Sequence, residues 1–295
     1  YRDSALFSGP VWPGACYFTD FTDPAARAWW GEQYRGLIED GMDAFWNDMN
    51  EIALIVPHRQ DSPVHVPDTI QHKGEDGNPR SHAEIHNVYG LLMTQASVEG
   101  LARLRPDRRP LLLSRSGWAG LQRYSMHWTG DNHSTWDDLL LSIQMILGLG
   151  MSGIALTGSD VGGFTGGPSP ELFARWMQLG AFSPFYRAHS MIGSPDQEPW
   201  AFGPEVEAIN RKYLELRYQL LPYIYTATWQ AAQSGAPLAR ALVLCFPDDP
   251  AVVDRDDEYL FGDALLVAPV VTEGATEREV YLPAGEWYDF WSEGR

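Results

Sequence analysis

Two aspartates of this sequence are placed where a carboxylate could act as a nucleophile or as a proton donor. Asp48 follows the apolar run of DAFWNDMNE, and Asp131 lies in MHWTGDN, so each ends a predicted strand and has a tryptophan nearby. Cleavage of a glycosidic bond requires such a pair, one carboxylate to attack or to activate water and one to protonate the leaving oxygen. The pattern favours a site for a sugar ring, although Asp131 alone could instead cap the following turn.

Other predicted strands end in residues of the same kind, namely Arg115, Asp160, and Arg187 with His189. The five candidate strands are DAFWND, PLLLSRS, MHWTGD, GIALTGSD and SPFYRAH. Predicted helices separate most of them, which indicates parallel strands covered by helices. In a (β/α)8 barrel the active site is built from the C-terminal ends of the strands and the loops that follow. We therefore expect these side chains on one face of a barrel.

The pattern of secondary-structure signals in the sequence changes after residue 235. The segments PLARALVLCFP, EYLFGDALLVAPVV, EREVYLPAG and EWYDFW are short, separated by turns and rich in β formers, and none predicts a helix. The predicted fold class is α/β: residues 1–235 form a partial TIM barrel with about the last five strands, and residues 236–295 begin a small antiparallel β-domain.

Composition narrows the class of ligand. The 295 residues carry 21 basic and 39 acidic side chains, a formal charge of −18. Such a charge repels nucleic acid and anionic membrane surfaces, so we expect neither as a partner, whereas a neutral sugar is compatible with it. Cys16 and Cys245 lie far apart in sequence, which predicts two reduced thiols rather than a disulfide framework and favours a cytoplasmic location.

Five histidines gather within 29 residues, and they raise the question of a metal site. They are His58, His65, His72, His82 and His86. The segment HAEIH lacks the HExxH arrangement of a zinc protease, and its two histidines can share a helix face without binding a metal. We expect no metal and no cofactor.

Several ordered motifs resemble those of a known family. FWNDMNE, SRSGWAGLQRYSMHWTGDN, GSDVGGF and LGAFSPFYRAHS are similar to the successive motifs of glycoside hydrolase family 31, the α-glucosidase and α-xylosidase family. The resemblance extends to GPVWPGACYFTDFTDP near the start and to GDALLVAPVVTEGATEREVYLPAGEWYDFW near the end. It therefore covers essentially the whole chain.

The resemblance implies a role for each matching residue. Asp48 would be the nucleophile that forms a covalent glycosyl-enzyme, and Asp131 would be the general acid and then the base, which gives retention of the α configuration. The residues implied to surround the sugar at the cleavage subsite are Arg115, Trp128, Asp160, Phe164 and His189, with Trp46 and Met49 at the pocket floor.

Some of these residues have a second interpretation from sequence alone. Trp46 and Phe164 are more often core aromatics. Glu51 is better explained by an ion pair that orients the loop of the nucleophile than by catalysis, and Arg187 could be structural or substrate-binding. Ile52 stands where the family often has proline, and Ala188 stands where asparagine is frequent.

The implied reaction is exo-acting hydrolysis of terminal α-linked glucose from an oligosaccharide, because NDMNE is similar to the α-glucosidase branch. An α-xylosidase, a transglucosylase, an α-glucan lyase or an inactive carbohydrate-binding piece remain alternatives. Only about five of eight barrel strands are visible, so the resemblance also implies a fragment of a longer enzyme, a homo-oligomer when full-length being one possibility. We expect residues 1–295 to be inactive alone.

Overall fold

The computed structural model describes residues 6–55 and 65–292, which fall into two compact units, residues 1–127 and 128–295. The elements of unit 1 are β1 (Ser8–Val11), β2 (Gly14–Tyr17), α1 (Pro24–Glu32), α2 (Tyr34–Glu39), β3 (Ala44–Asn47), β4 (Gln71–His72), β5 (Arg80–Ser81), α3 (His82–Ile85), α4 (Tyr89–Leu104), β6 (Leu111–Ser114) and β7 (Met126–His127). The elements of unit 2 are α5 (Trp136–Met151), β8 (Asp160–Val161), α6 (Pro170–Ala181), β9 (Arg187–Ala188), α7 (Pro204–Gln219), α8 (Leu221–Ser234), β10 (Ala239–Ala241), α9 (Leu242–Cys245), β11 (Tyr259–Phe261) and β12 (Leu265–Val267).

Unit 1 is organised around a three-stranded sheet in the order β3-β6-β7. Both pairs are parallel, with Ala44 opposite Leu111 and Leu113 opposite Met126. Helices α1 and α4 pack so closely that a Cβ on Gly100 would lie 2.3 Å from the Cα of Gly31. Any larger residue at that crossing would push the helices apart, so two glycines set the depth of the helical layer.

Unit 2 has a second parallel pair, β8 with β9, and an antiparallel sheet in the order β10-β11-β12. The core of this unit is formed largely by α5, α6 and α8, and Phe173 and Trp176 of α6 are fully buried within it. Side chains of β10, β11 and β12 contribute to the same core. The small sheet is therefore packed by hydrophobic burial rather than held only through the connecting chain.

Local sequence explains where the helices start. Asp23, Thr135 and Ser169 each accept a hydrogen bond from a backbone N–H in the first turn of the helix that follows. Pro24 and Pro170 occupy the first helical position, where a missing N–H costs nothing. These caps fix the start of α1, α5 and α6.

The predicted parallel pairing of the barrel strands is confirmed, since each of the five candidates contributes a strand, although GIALTGSD forms one only from Asp160 onwards. The structure corrects three helix extents. Sequence pattern predicts one long helix in each of three segments, PAARAWWGEQYRGLIEDG, AEIHNVYGLLMTQASVEGLARLRP and PEVEAINRKYLELRYQLLPYIYTATWQAAQSG, and the structure divides each of them. One break, at Leu220, precedes Pro222, which has no N–H to donate. The boundary at residue 235 stays a prediction.

The predicted β-domain needs a larger correction. Helix α9 occupies the middle of PLARALVLCFP, and the described part of EREVYLPAG and EWYDFW contains no strand. The reason lies in the backbone donors: the N–H of Tyr281 is bonded to the Glu258 carboxylate, and those of Trp291 and Ser292 to Asp289. Side-chain oxygens satisfy these groups, and no ladder forms. No helix among the described residues is long and apolar enough to cross a membrane.

Candidate active site

In unit 1, the first candidate aspartate lies at the C-terminal end of β3, next to an arginine at the end of β6. The backbone N–H of Arg115 donates to the carbonyl of Asn47 at 3.0 Å, which continues the strand ladder by one residue. The guanidinium Nη1 lies 3.3 Å from Oδ1 of Asp48, and Nη2 pairs with the Glu51 carboxylate. Arg115 therefore bridges two carboxylates, and the expected ion pair of Glu51 is confirmed.

The loop that carries Asp48 has two non-glycine residues in rare backbone conformations. Met49 and Ile52 have φ of 54° and 65°, in the left-handed region that non-glycine residues rarely adopt. The N–H of Met49 donates to Oδ1 of its neighbour Asp48 at 2.8 Å. Proline cannot adopt the φ observed at Ile52, so this position differs in backbone shape from a proline-containing loop.

Buried asparagines hold the loop in place. The Asn50 side chain donates to Ser114 Oγ at 2.7 Å and accepts from the N–H of Ser116 at 2.9 Å, which ties the loop to the end of β6. On β3, Asn47 accepts from Tyr34 at 3.1 Å. Both asparagines are only 2% exposed, so their hydrogen bonds are not in competition with water. The abrupt polarity of NDMNE thus serves mainly to position one exposed carboxylate.

In unit 2, the first residue of β8, Asp160, pairs with the first residue of β9, Arg187. The two are register partners, and Nη2 of Arg187 lies 2.8 Å from Oδ1 of Asp160. Asp160 is fully buried. Burial raises the pKa of Asp160 above its ordinary value, while the guanidinium of Arg187 and the ring of His189 oppose this and Asp131 adds to it. Asp131 and His189 therefore lie close enough to act on the Asp160 charge.

The segment with the second candidate aspartate passes directly beside Asp160. A Cβ added to Gly130 would lie 2.4 Å from Oδ2 of Asp160 and 2.4 Å from Nε1 of Trp128, so only glycine fits. Asn132 Nδ2 donates to the carbonyl of Asp160 at 3.0 Å. Trp128 is buried, whereas Asp131 is exposed. Both neighbours of Asp131 therefore lie against Asp160, Gly130 by close approach and Asn132 by a side-chain hydrogen bond.

An aromatic pair completes this end of unit 2. The rings of Phe164 and His189 lie 5.4 Å apart at 32°. The N–H of Phe164 donates to the carbonyl of Asn132 at 2.8 Å, and the N–H of Met191 donates to the carbonyl of Phe164 at 2.8 Å. The loops after β8 and β9 thus bring both rings to the segment that carries Asp131.

Of the nine predicted site residues, unit 1 holds Trp46, Asp48, Met49 and Arg115, and unit 2 holds Trp128, Asp131, Asp160, Phe164 and His189. Sequence reasoning gave no site role to Asn50 or Gly130 and left Arg187 undecided. A polar residue two positions after a strand-end aspartate is a usable signal for Asn50. The closeness of Gly130 to Asp160 has no local signal, because it depends on the packing of two distant segments.

Two of these histidines, His72 and His82, lie in a buried hydrogen-bonded chain that ends at Asp20. Nδ1 of His72 lies 3.2 Å from the Asp20 carboxylate, and its Nε2 lies 3.1 Å from Nδ1 of His82. Within residues 6–55 and 65–292, no three His, Cys, Asp or Glu side chains are arranged to hold a metal ion. His58 lies outside the described residues.

Comparison with known proteins identifies the family of this chain. Residues 1–227 match the family model described as "Glycosyl hydrolases family 31 TIM-barrel domain", and residues 235–295 match "Glycosyl hydrolase family 31 C-terminal domain". The chain belongs to glycosyl hydrolase family 31. The α/β fold with a TIM-barrel domain is that of this family, and the resemblance inferred from the motifs is confirmed.

Individual members of family 31 are similar over nearly the whole chain. Alpha-glucosidase 2 of Bacillus thermoamyloliquefaciens is 43% identical over 292 residues, which is 99% of this chain and 36% of that protein. Neutral alpha-glucosidase AB of Sus scrofa is 42% identical over 98% of this chain and 30% of that protein. The chain thus spans about a third of the length of these relatives.

Solved structures of family 31 share the fold closely. The glucosidase II alpha subunit, in a form bound to Glc1Man2, gives a TM-score of 0.91 at 34% identity, covering 99% of this chain and 32% of that one. The GH31 dextranase of Flavobacterium johnsoniae, complexed with glucose, gives a TM-score of 0.87 at 38% identity. The match covers 98% of this chain and 36% of that one.

Proposed function

We propose that the full protein carrying this chain is a retaining, exo-acting α-glucosidase that removes terminal non-reducing α-linked glucose from oligosaccharides. The observation that carries the proposal is the exposed carboxylate of Asp48 at the end of β3, with the guanidinium of Arg115 at 3.3 Å. A nucleophilic carboxylate must be ionised and accessible. The guanidinium stabilises the negative charge, and the 55% exposure of the side chain leaves room for a sugar.

The proposed mechanism is a double displacement. Asp48 attacks the anomeric carbon, and the bond to the leaving oxygen breaks as Asp131 transfers its proton to that oxygen. Asp131 then removes a proton from water, which attacks the glycosyl ester and releases Asp48. Two inversions at one carbon give net retention of the α configuration.

The groups that would bind the sugar are polar and aromatic, as a neutral ligand requires. Arg115 and His189 can donate to sugar hydroxyl groups, and Phe164 with Trp128 offers apolar ring surface. Trp46 and Met49, on either side of Asp48 along the chain, would contact the sugar beside the nucleophile. The charge of −18 is compatible with a neutral oligosaccharide and unfavourable for an anionic one.

The names of the relatives support glucose as the sugar, since those described above are alpha-glucosidases. The dextranase structure has also been determined, as the D412A mutant, with isomaltotriose. We therefore choose five test substrates: maltose, isomaltose, nigerose, isomaltotriose and an α-xyloside. An α-xylosidase, a transglucosylase or a lyase would share the same pair of aspartates, and the products distinguish them.

The test is to follow the products of the full natural protein by NMR. We expect α-glucose as the first product from an aryl α-glucoside, which releases one glucose only, from the cleaved carbon, with slow conversion to the β anomer. Initial β-glucose would exclude retention, and cleavage of the α-xyloside alone would exclude the glucosidase assignment. A glucosyl group transferred to the hydroxyl of a second sugar in place of water would instead indicate a transglucosylase, and an unsaturated product would indicate a lyase.

A further inference from the structure

Asp160 is an unusual carboxylate because one of its oxygens is bonded and the other is covered. It is fully buried, and Oδ1 accepts from Arg187 at 2.8 Å. Oδ2 is buried without a hydrogen-bond partner among the described residues. The backbone at Gly130 lies close to this oxygen, since a Cβ added there would approach to 2.4 Å. The residue that follows this contact is the proposed general acid, Asp131.

The same strand end holds the other side of the Asp131 segment. The carbonyl of Asp160 accepts from Asn132 Nδ2 at 3.0 Å. The carbonyl of Asn132 in turn accepts from the N–H of Phe164 at 2.8 Å and of Thr165 at 3.1 Å. Asp131 thus lies between Gly130 and Asn132, and both of these residues lie against Asp160. A shift of the Asp160 side chain or backbone would move both of them.

We infer that Arg187 is a positioning residue for the acid–base step: by fixing the Asp160 carboxylate, it fixes the segment from Gly130 to Asn132 and thereby the carboxyl group of Asp131. This inference rests on the proposed function. Arg187 acts through Asp160 and is not itself required to touch the sugar. A proton transfer is sensitive to such a role, because it needs its donor within hydrogen-bond reach of the leaving oxygen.

The position of a general acid can be tested separately from the binding of sugar by changing the leaving group. An alkoxide leaving from maltose needs a proton, whereas fluoride leaving from α-glucosyl fluoride does not. The value of kcat/KM reports the step in which the glycosyl-enzyme forms and excludes the later attack of water. A misplaced acid therefore lowers kcat/KM for maltose and spares it for the fluoride.

The experiment compares Arg187→Met with the wild type in the full natural protein. We expect kcat/KM to fall about 100-fold on maltose, the usual contribution of a general acid, and to change less than about threefold on α-glucosyl fluoride. Arg187→Lys, which keeps the charge, should recover part of the loss on maltose. Arg211→Met is the matched control, because that arginine pairs with Glu207 on the exposed surface of α7; both substrates should be unaffected.

Asn132→Ala provides a second variant that keeps the ion pair intact. It removes the hydrogen bond from Asn132 to the carbonyl of Asp160, so it loosens the segment and should give the same selective loss on maltose even if Arg187→Met does not fold. Equal losses on both substrates in a folded variant would overturn the inference alone. An inactive wild-type protein would overturn the proposed function and the inference with it.

Discussion

Two aspartate–arginine pairs occupy equivalent places in the two units, yet their surroundings are opposite. In unit 1, Asp48 at the end of β3 pairs with Arg115 at the end of β6; in unit 2, Asp160 of β8 pairs with Arg187 of β9. In each case the arginine comes from the neighbouring parallel strand. The Asp48 side chain is 55% exposed, whereas that of Asp160 is 0% exposed.

The same aspartate–arginine pairing between neighbouring parallel strands is therefore suited to two different tasks, depending on its exposure to solvent. An exposed carboxylate beside a guanidinium has a compensating charge and can still reach a ligand, so the Asp48 pair suits chemistry. A buried carboxylate cannot reach a ligand without rearrangement and must have its charge compensated, so the Asp160 pair suits positioning. Solvent exposure, rather than the pairing itself, separates the two.

The largest effect we expect is on the exposed pair. Asp48→Asn removes the proposed nucleophile and should lower kcat by at least about 10⁴-fold, the scale at which loss of a covalent nucleophile is measured. Steady-state rates on maltose in the full natural protein test this. Asp43→Asn is the matched control, because Asp43 lies just before the same strand, is 69% exposed and pairs with Arg105 and Arg108. An undiminished rate for Asp48→Asn would exclude the assignment.

For the stability of the fold we expect the buried Asp160–Arg187 pair to matter more than the exposed Asp48–Arg115 pair. Arg187→Met leaves a buried carboxylate uncompensated and should lower the free energy of unfolding by about 3 kcal/mol. Arg115→Met leaves Asp48 in contact with solvent and should cost about 1 kcal/mol or less. Denaturant unfolding of the full natural protein measures both values. Equal losses would mean that exposure does not separate the pairs.

The sequence predicted the ends of both pairs because alternating strand and helix signals place residues at strand ends without any long-range information. It left open which pair is buried, because burial of Asp160 depends on the approach of Gly130 from a different strand end. Residues 236–295 were predicted less well. Their β formers are present, but the carboxylates of Glu258 and Asp289 bind backbone N–H groups that a strand would need.

A smaller effect is expected from the loop that supports the exposed pair. Asn50→Ala would leave the N–H of Ser116 and the hydroxyl of Ser114 without their present partner. We expect a loss of about 2 kcal/mol in the free energy of unfolding, the cost of an unsatisfied buried group. Asn78→Ala is the control, since Asn78 is exposed and bonds only locally to Asp76. A loss no larger than that of the control would show that Asn50 does not hold the loop.

The smallest effect concerns a third carboxylate, the half-buried Asp20 of unit 1, whose partner is a histidine and not an arginine. Burial alone would raise the pKa of Asp20, but hydrogen bonds from His72 and from other neighbours hold it below its ordinary range. Burial lowers the pKa of His82 to about 4, aided by His72 and His86 and opposed by Asp68. An arginine partner would stay charged at any of these pH values, whereas a histidine partner does not.

The sign of the pH dependence follows from His82. Its pKa is about 6.5 in an unfolded chain, so folding favours the neutral ring, and the stabilisation is complete above pH 6.5 and is lost as the pH falls towards 4. Asp20 contributes a loss only below about pH 4. We expect the midpoint of thermal unfolding to fall by about 2–4 °C between pH 7 and pH 5. His82→Gln should flatten that slope, whereas His133→Gln should not, because His133 is 69% exposed; equal slopes in the two variants would show that the buried chain is not the pH-sensitive element.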